Sequence, residues 1–166
     1  MSATARFALP LLHPAQAQKE LFHNEALTLA DALIQPCVEA VGIDAPPGSP
    51  MPGQCWIVGQ SPTGAWAGAA GALTVWTAGG WRFAPPREGM TAWIVADAMA
   101  ARYGSGAWHI GHVTATRLEI DGEQVVGPRE PAIDDPDGGA VVDAEARTAI
   151  EAILGALRTH GLIDPM

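Results

Sequence analysis

Apolar residues along this chain keep two different rhythms. Near the start, Phe22, Ala26, Leu29 and Leu33 recur at steps of four, three and four. That is one face of a helix and, over so short a span, it is compatible with a coiled-coil seam. The spacing predicts helix over Pro14–Val41: Pro14 suits a first turn, Pro36 should kink or end it, and Gly42 with Pro46 and Pro47 stops it. Near the far end, Ala146, Ile150, Ile153 and Leu157 repeat the same steps. Asp143 reads as the N-cap of that second helix, acids fill its first turn, and Arg158 and His160 precede Gly161.

Between the helices the rhythm turns to strands. Cys55–Val58, Leu73–Trp76, Trp81–Phe83, Trp93–Ala96, Ala101–Tyr103 and Ala107–Ile110 are predicted strands. "VWTAGGWRF" (Val75–Phe83) aligns with "RYGSGAWHI" (Arg102–Ile110), an aromatic, a Gly-rich turn and then Trp, so the centre reads as a duplicated hairpin. "WIV" at Trp56–Val58 returns at Trp93–Val95. The stretch Gly59–Gly71 is present only in the first copy, so it is expected to be a surface loop with Trp66 at its tip. Asp121-Gly122 between "LEI" and "EQVV" predicts a further hairpin.

The expected fold is therefore α+β and mainly β. It comprises an N-terminal helical segment (1–45), a small antiparallel β domain of two Trp-marked hairpin repeats (46–112), and a C-terminal hairpin plus helix (113–166). Composition supports this: Gly (19) and Pro (14) make about a fifth of the 166 residues, which suits turns better than a helical bundle. A net charge of −9 argues against nucleic acid or an anionic membrane surface as partner. The apolar run near the N-terminus is broken by Pro10 and reads as no signal peptide, and no stretch is long enough to insert in a bilayer. Cys37 and Cys55 are too few for a disulfide framework and read as buried thiols.

Candidate chemistry is sparse. His109 and His112 form a His-x-x-His pair, but on a strand that spacing sends the rings to opposite faces. A zinc site also needs three or four ligands, so no metal and no cofactor is expected. "DDPDGG" (Asp134–Gly139) lacks the spacing of a calcium loop. Ser61 in "GQSPTG" falls short of a nucleophile elbow. Asp44, Glu88 and Asp97 flank the Trp-rich centre without any spacing that pairs them. No catalytic residue is assigned and the chain does not read as an enzyme.

That leaves six tryptophans, all in the β region. Trp56, Trp81, Trp93 and Trp108 recur between the copies and read as core. Trp66 and Trp76 are the better platforms for a sugar ring. Each amphipathic helix needs a partner for its apolar face. Phe22, Leu29 and Leu33 on the first helix, and Ile150, Ile153 and Leu157 on the second, are the candidate oligomer interface.

Gln16, Gln18, Lys19, His23, Asn24 and Glu25, the Gly64-Ala65-Trp66 and Gly80-Trp81 turns, and Pro86-Arg87-Glu88-Gly89 together resemble an uncharacterised domain family of alphaproteobacterial prophages and gene transfer agents. The segment from Ile120 to Ile163 is similar to the C-terminal part of phage fibre and spike proteins. The resemblance implies a virion-type structural protein, a homotrimeric spike or fibre on the particle surface that contacts other particle proteins and adheres to a host polysaccharide. Longer fibres append a distal receptor-binding domain; this chain ends soon after its last helix. An adaptor without a ligand of its own, joining capsid or tail to a larger spike, is the alternative.

Overall fold

The computed structural model describes residues 3–12, 19–138 and 143–164. Pro14, Gln16, Gln18 and Gly139 lie outside the described residues. The chain divides into two compact units, Met1–His112 and Val113–Met166.

The first unit opens with helix α1 (Lys19–Ile34), shorter than its pattern suggested. Pro36 ends it, because proline offers no N–H to the helix, and its carbonyl instead accepts from Trp93 N at 2.8 Å. The residues expected to continue the helix form two very short strands, β1 (Cys37–Val38) and β2 (Val41–Ile43). The predicted strands follow as β3 (Cys55–Val58), β4 (Leu73–Thr77), β5 (Gly80–Ala84), β6 (Thr91–Ile94), β7 (Met99–Gly104) and β8 (Ala107–Ile110).

They make two four-stranded sheets of identical plan, β2-β3-β4-β5 and β1-β6-β7-β8. Each is a three-stranded antiparallel meander with one short parallel strand added: β2 beside β3 and β1 beside β6. The predicted antiparallel domain thus gains two parallel pairings. Both hairpin turns are as expected. In the second copy Ser105 (φ 52°) and Gly106 (φ 81°) both lie in the left-handed region, the backbone of a tight hairpin.

The register corrects the alignment of the copies. Trp76 faces Trp81 and Tyr103 faces Trp108, so the hairpin match is right. Cys55, opposite Val75, corresponds to Thr91, opposite Arg102. Trp56 therefore corresponds to Ala92, and Trp93 to Ile57. The matching "WIV" strings are one residue out of register, and in a strand one residue exchanges the faces.

One core joins the sheets. Cys55, Ile57, Leu73 and Val75 meet Val38, Ala92, Ile94 and Ala101 in it, with Ala32, Leu29 and Leu33 of α1 packed against them. The two copies thus contribute opposite faces of the same plan. Leu29 and Leu33, expected at an interface between chains, are spent inside their own unit, whereas Phe22 is 72% exposed. Residues 3–12 fold back on α1. Buried Asp31 accepts from Thr4 Oγ1 at 2.8 Å, Arg6 N at 2.9 Å and Phe7 N at 2.8 Å. Arg6 Nη1 donates to the Asp31 and Ala32 carbonyls and Nη2 to that of Gln35. A guanidinium thus satisfies carbonyls that the end of a helix leaves free.

The second unit holds a hairpin of β9 (Leu118–Ile120) and β10 (Glu123–Val126) and helix α2 (Ala144–Thr159). Asp121 (φ 52°) and Gly122 (φ 83°) make the predicted turn. Asp143 caps α2, its Oδ1 accepting from Ala146 N at 2.8 Å. Leu154 and Ile163 are the buried apolar residues described in this unit.

Candidate functional site

The most organised aromatic site lies on the other face of the first sheet. Trp56 and Val58 of β3, Trp76 of β4, and Trp81 and Phe83 of β5 all share that face. The sheet alone would leave these rings wet, and the Gly59–Gly71 insertion prevents it by folding over them. Asp44 holds the loop down: its Oδ1 accepts from Ser61 N at 2.9 Å and its carbonyl from Thr63 N at 2.7 Å. The short 3-10 turn Gly64–Trp66 then drives the indole inward.

Trp66 is accordingly 0% exposed, which corrects the expectation of an exposed ring at a loop tip. It meets Trp81 edge to face with ring centres 5.1 Å apart, and Trp56 at 6.3 Å. Trp56 and Trp81 meet at 5.5 Å, and Trp76 and Trp81 at 4.9 Å. Such pairs contribute about 0.5–1.5 kcal/mol each beyond the area they bury. The Trp66 N–H has no hydrogen-bond partner among the described residues. Trp76 is half-buried in the same cluster. The cluster is therefore a lid-and-platform core: Trp56 and Trp66 are buried, while Trp76, Trp81 and Phe83 are only partly covered.

Trp108 is half-buried against the joint core and donates from Nε1 to Gly71 O at 2.8 Å, tying the end of the loop to the second sheet. The tryptophan that does face solvent is Trp93, 48% exposed and opposite Ala100 in the ladder. Its neighbour is too small to cover it, and the second copy has no insertion to serve as lid. Its recurrence between the copies predicts a core position, but the "WIV" match is one residue out of register and the ring faces outward.

A cavity of about 500 Å³ lies between the N-terminal segment, α1 and the β4–β5 hairpin, lined among others by Glu20, Asn24, Glu25, Thr28, Asp31 and Arg82. Its volume is that of a small-molecule pocket; most of its polar groups are engaged, but Glu20 Oε2 is buried with no hydrogen-bond partner among the described residues. Arg82 pairs with Glu25 at 3.0 Å, Asn24 bonds the Leu12 backbone, and Asp31 is used as above. No sequence signal pointed to this groove except Asp31 standing alone in "LTLADALI".

The remaining sequence candidates do not converge. Asp44 and Glu88 serve backbone groups of Ser61 and Ser105. Among the described residues no three His, Cys, Asp or Glu side chains gather as a metal site, and no helix is long and apolar enough to cross a membrane. Burial pushes the Cys55 thiol up to about 11, the direction of an inert core cysteine. In the second unit, Ile150 and Ile153 are exposed and Leu157 is half-buried. On the hairpin, Leu118, Ile120 and Val126 share one face by register, and all three are exposed.

One family model, described as "Protein of unknown function (DUF2793)", matches residues 23–109. The match runs from the first half of α1 through both sheets to β8, just over half of the chain. No curated protein matches the sequence.

Proposed function

The chain belongs to the DUF2793 family, and from that premise we propose that it is a structural component of a phage or gene-transfer-agent particle, a spike or fibre subunit acting as an adaptor between particle proteins. The carrying observation is the apolar face Leu118, Ile120 and Val126 on a two-stranded hairpin with every residue exposed. An isolated hairpin is marginal in water, and this one needs a neighbouring chain to bury that face. Ile150 and Ile153 on α2 present the same need. A homotrimer meets both, since an exact repeat of the chain brings matching hairpins and helices to one axis. The resemblance of the motifs to prophage and gene-transfer-agent domains supports the particle as its location.

Light scattering after size exclusion tests this reading. The wild type is expected as three chains, and Leu118→Ser with Ile120→Ser as one. A wild-type monomer at high concentration would overturn the assembly.

Adhesion to a host polysaccharide is the second reading. It is favoured by Trp93, whose indole faces solvent with only Ala100 opposite, and not by Trp66. Glycan binding lost in Trp93→Ala but kept in a hairpin variant would select it, with multivalency raising a weak single site to useful avidity.

A further inference from the structure

The cavity beneath the N-terminal segment has three walls, and side-chain bonds tie α1 to the other two. Glu20, Asn24, Thr28 and Asp31 follow one another along α1 at helical spacing and all line it. Asp31 and Asn24 hold the N-terminal segment, through Thr4, Arg6 and Phe7 at one end and Leu12 at the other. Arg82 of β5 reaches Glu25 of α1 at 3.0 Å, and by register it shares its face of the first sheet with Val75. The enclosed space of about 500 Å³ suits a small organic molecule and far exceeds what one water fills.

The polar lining leaves one charge unanswered. Arg82 spends its guanidinium on Glu25 and on the carbonyls of Gly79 and Trp81. The Thr28 hydroxyl donates to Asn24 O and that of Thr77 to Gly80 O, while Asp31 already accepts three hydrogen bonds. Glu20 Oε2 is buried and has no partner among the described residues. Glu20 also stands in the first turn of α1, where the helix dipole favours negative charge. A buried carboxylate oxygen without a donor is costly, and rotation about the last side-chain bond offers either oxygen to the cavity. Leu11, Leu21, Pro52 and Val75 supply apolar wall.

This combination selects among ligands. An anion would meet Glu20 with Arg82 already engaged. A polyol would meet hydroxyl and amide groups that are already bonded. A metal ion lacks ligands, because among the described residues no three suitable side chains gather. An ammonium group brings both the charge and the N–H that Glu20 lacks, and a hydrocarbon body covers the apolar wall.

We propose that this cavity binds a primary amine carried on an apolar body, with the ammonium donating to the Glu20 carboxylate. The test titrates the full chain with hexylamine, hexanol and hexanoate, three head groups on similar hydrocarbon chains, and follows the backbone amide resonances. Hexylamine is expected to shift the amides of Thr28, Gly53 and Gly79, with hexanol about tenfold weaker and hexanoate weaker still. Glu20→Gln should weaken hexylamine about tenfold and leave hexanol within about twofold. No shift at those amides, or equal affinity for hexylamine and hexanol, overturns the site without recourse to any variant. Hexylamine affinity unchanged in a folded Glu20→Gln protein overturns it as well.

Discussion

Gly59 and Asp44 are built against each other: a Cβ on Gly59 would collide with Asp44 Oδ1 and stand 2.6 Å from Gly42 O. The second contact is backbone and cannot swing aside. Gly59 N also donates to Ile43 O at 2.8 Å, fixing the strand end from which the tryptophan-bearing loop departs. Gly59→Ala is expected to lower stability by about 1–3 kcal/mol, the usual range for overpacking. Urea unfolding with the tryptophan emission as signal reads it directly, and an unchanged midpoint would remove the close approach from the account.

Trp66 and Trp93 should exchange the roles that their sequence positions suggest. Trp66→Ala empties the centre of the cluster and is expected to cost about 3–5 kcal/mol, whereas Trp93→Ala at a half-exposed surface should stay within about 0.5 kcal/mol. Trp66→Phe should cost much less than the alanine change, because the indole N–H it removes has no partner among the described residues. Equal losses for Trp66→Ala and Trp93→Ala in thermal denaturation would contradict the assigned faces.

Arg6 should matter to a helix end more than twenty residues away. Arg6→Ala removes three bonds to the carbonyls of Asp31, Ala32 and Gln35, and a loss of about 1–2 kcal/mol is expected. Hydrogen exchange should quicken in the last turn of α1 and in residues 3–9. Exchange unaltered in that turn would show that the guanidinium is a bystander.

The raised Cys55 pKa, caused chiefly by desolvation, has a defined sign. Below about pH 9 the thiol is protonated in both folded and unfolded chains and makes no difference. Between about 9 and 11 the unfolded chain releases its proton and the folded one does not. Stability should therefore fall by up to about 1.4 kcal/mol per pH unit in that window. Comparing wild type with Cys55→Ala across pH 8 to 11 isolates it. Identical pH slopes would contradict the shift.

What could be read from the residues was what is local. The Trp76–Trp81 and Tyr103–Trp108 hairpins, the Asp121-Gly122 turn and the Asp143 cap each carry their signal within a few positions. What escaped was what depends on parity or on distant partners. "WIV" matched "WIV" in letters, yet one residue of offset turned Trp93 outward. Cys37–Val38 and Val41–Ile43 are too short to show alternation, and their partners lie many residues downstream. A loop position predicts a solvent-exposed Trp66, yet this loop is held down by Asp44 as a lid and buries the ring. The closeness of the His109 and His112 rings escaped for a related reason: Gly111, at φ 70°, ends the strand, so alternation does not reach His112.

The stretch from Cys37 to Ile43 pairs with β6 through its first residues and with β3 through its last. Neither repeat therefore owns a complete sheet. Each borrows its fourth strand from one short ribbon lying ahead of both. A chain cut between the copies, near Pro86, would leave a first half lacking the second sheet's share of the core. It would also leave a second half with an unpaired β6 edge prone to association. The duplication is visible in the letters, but the two copies are inseparable as folding units, and a gene encoding one repeat alone would encode no domain.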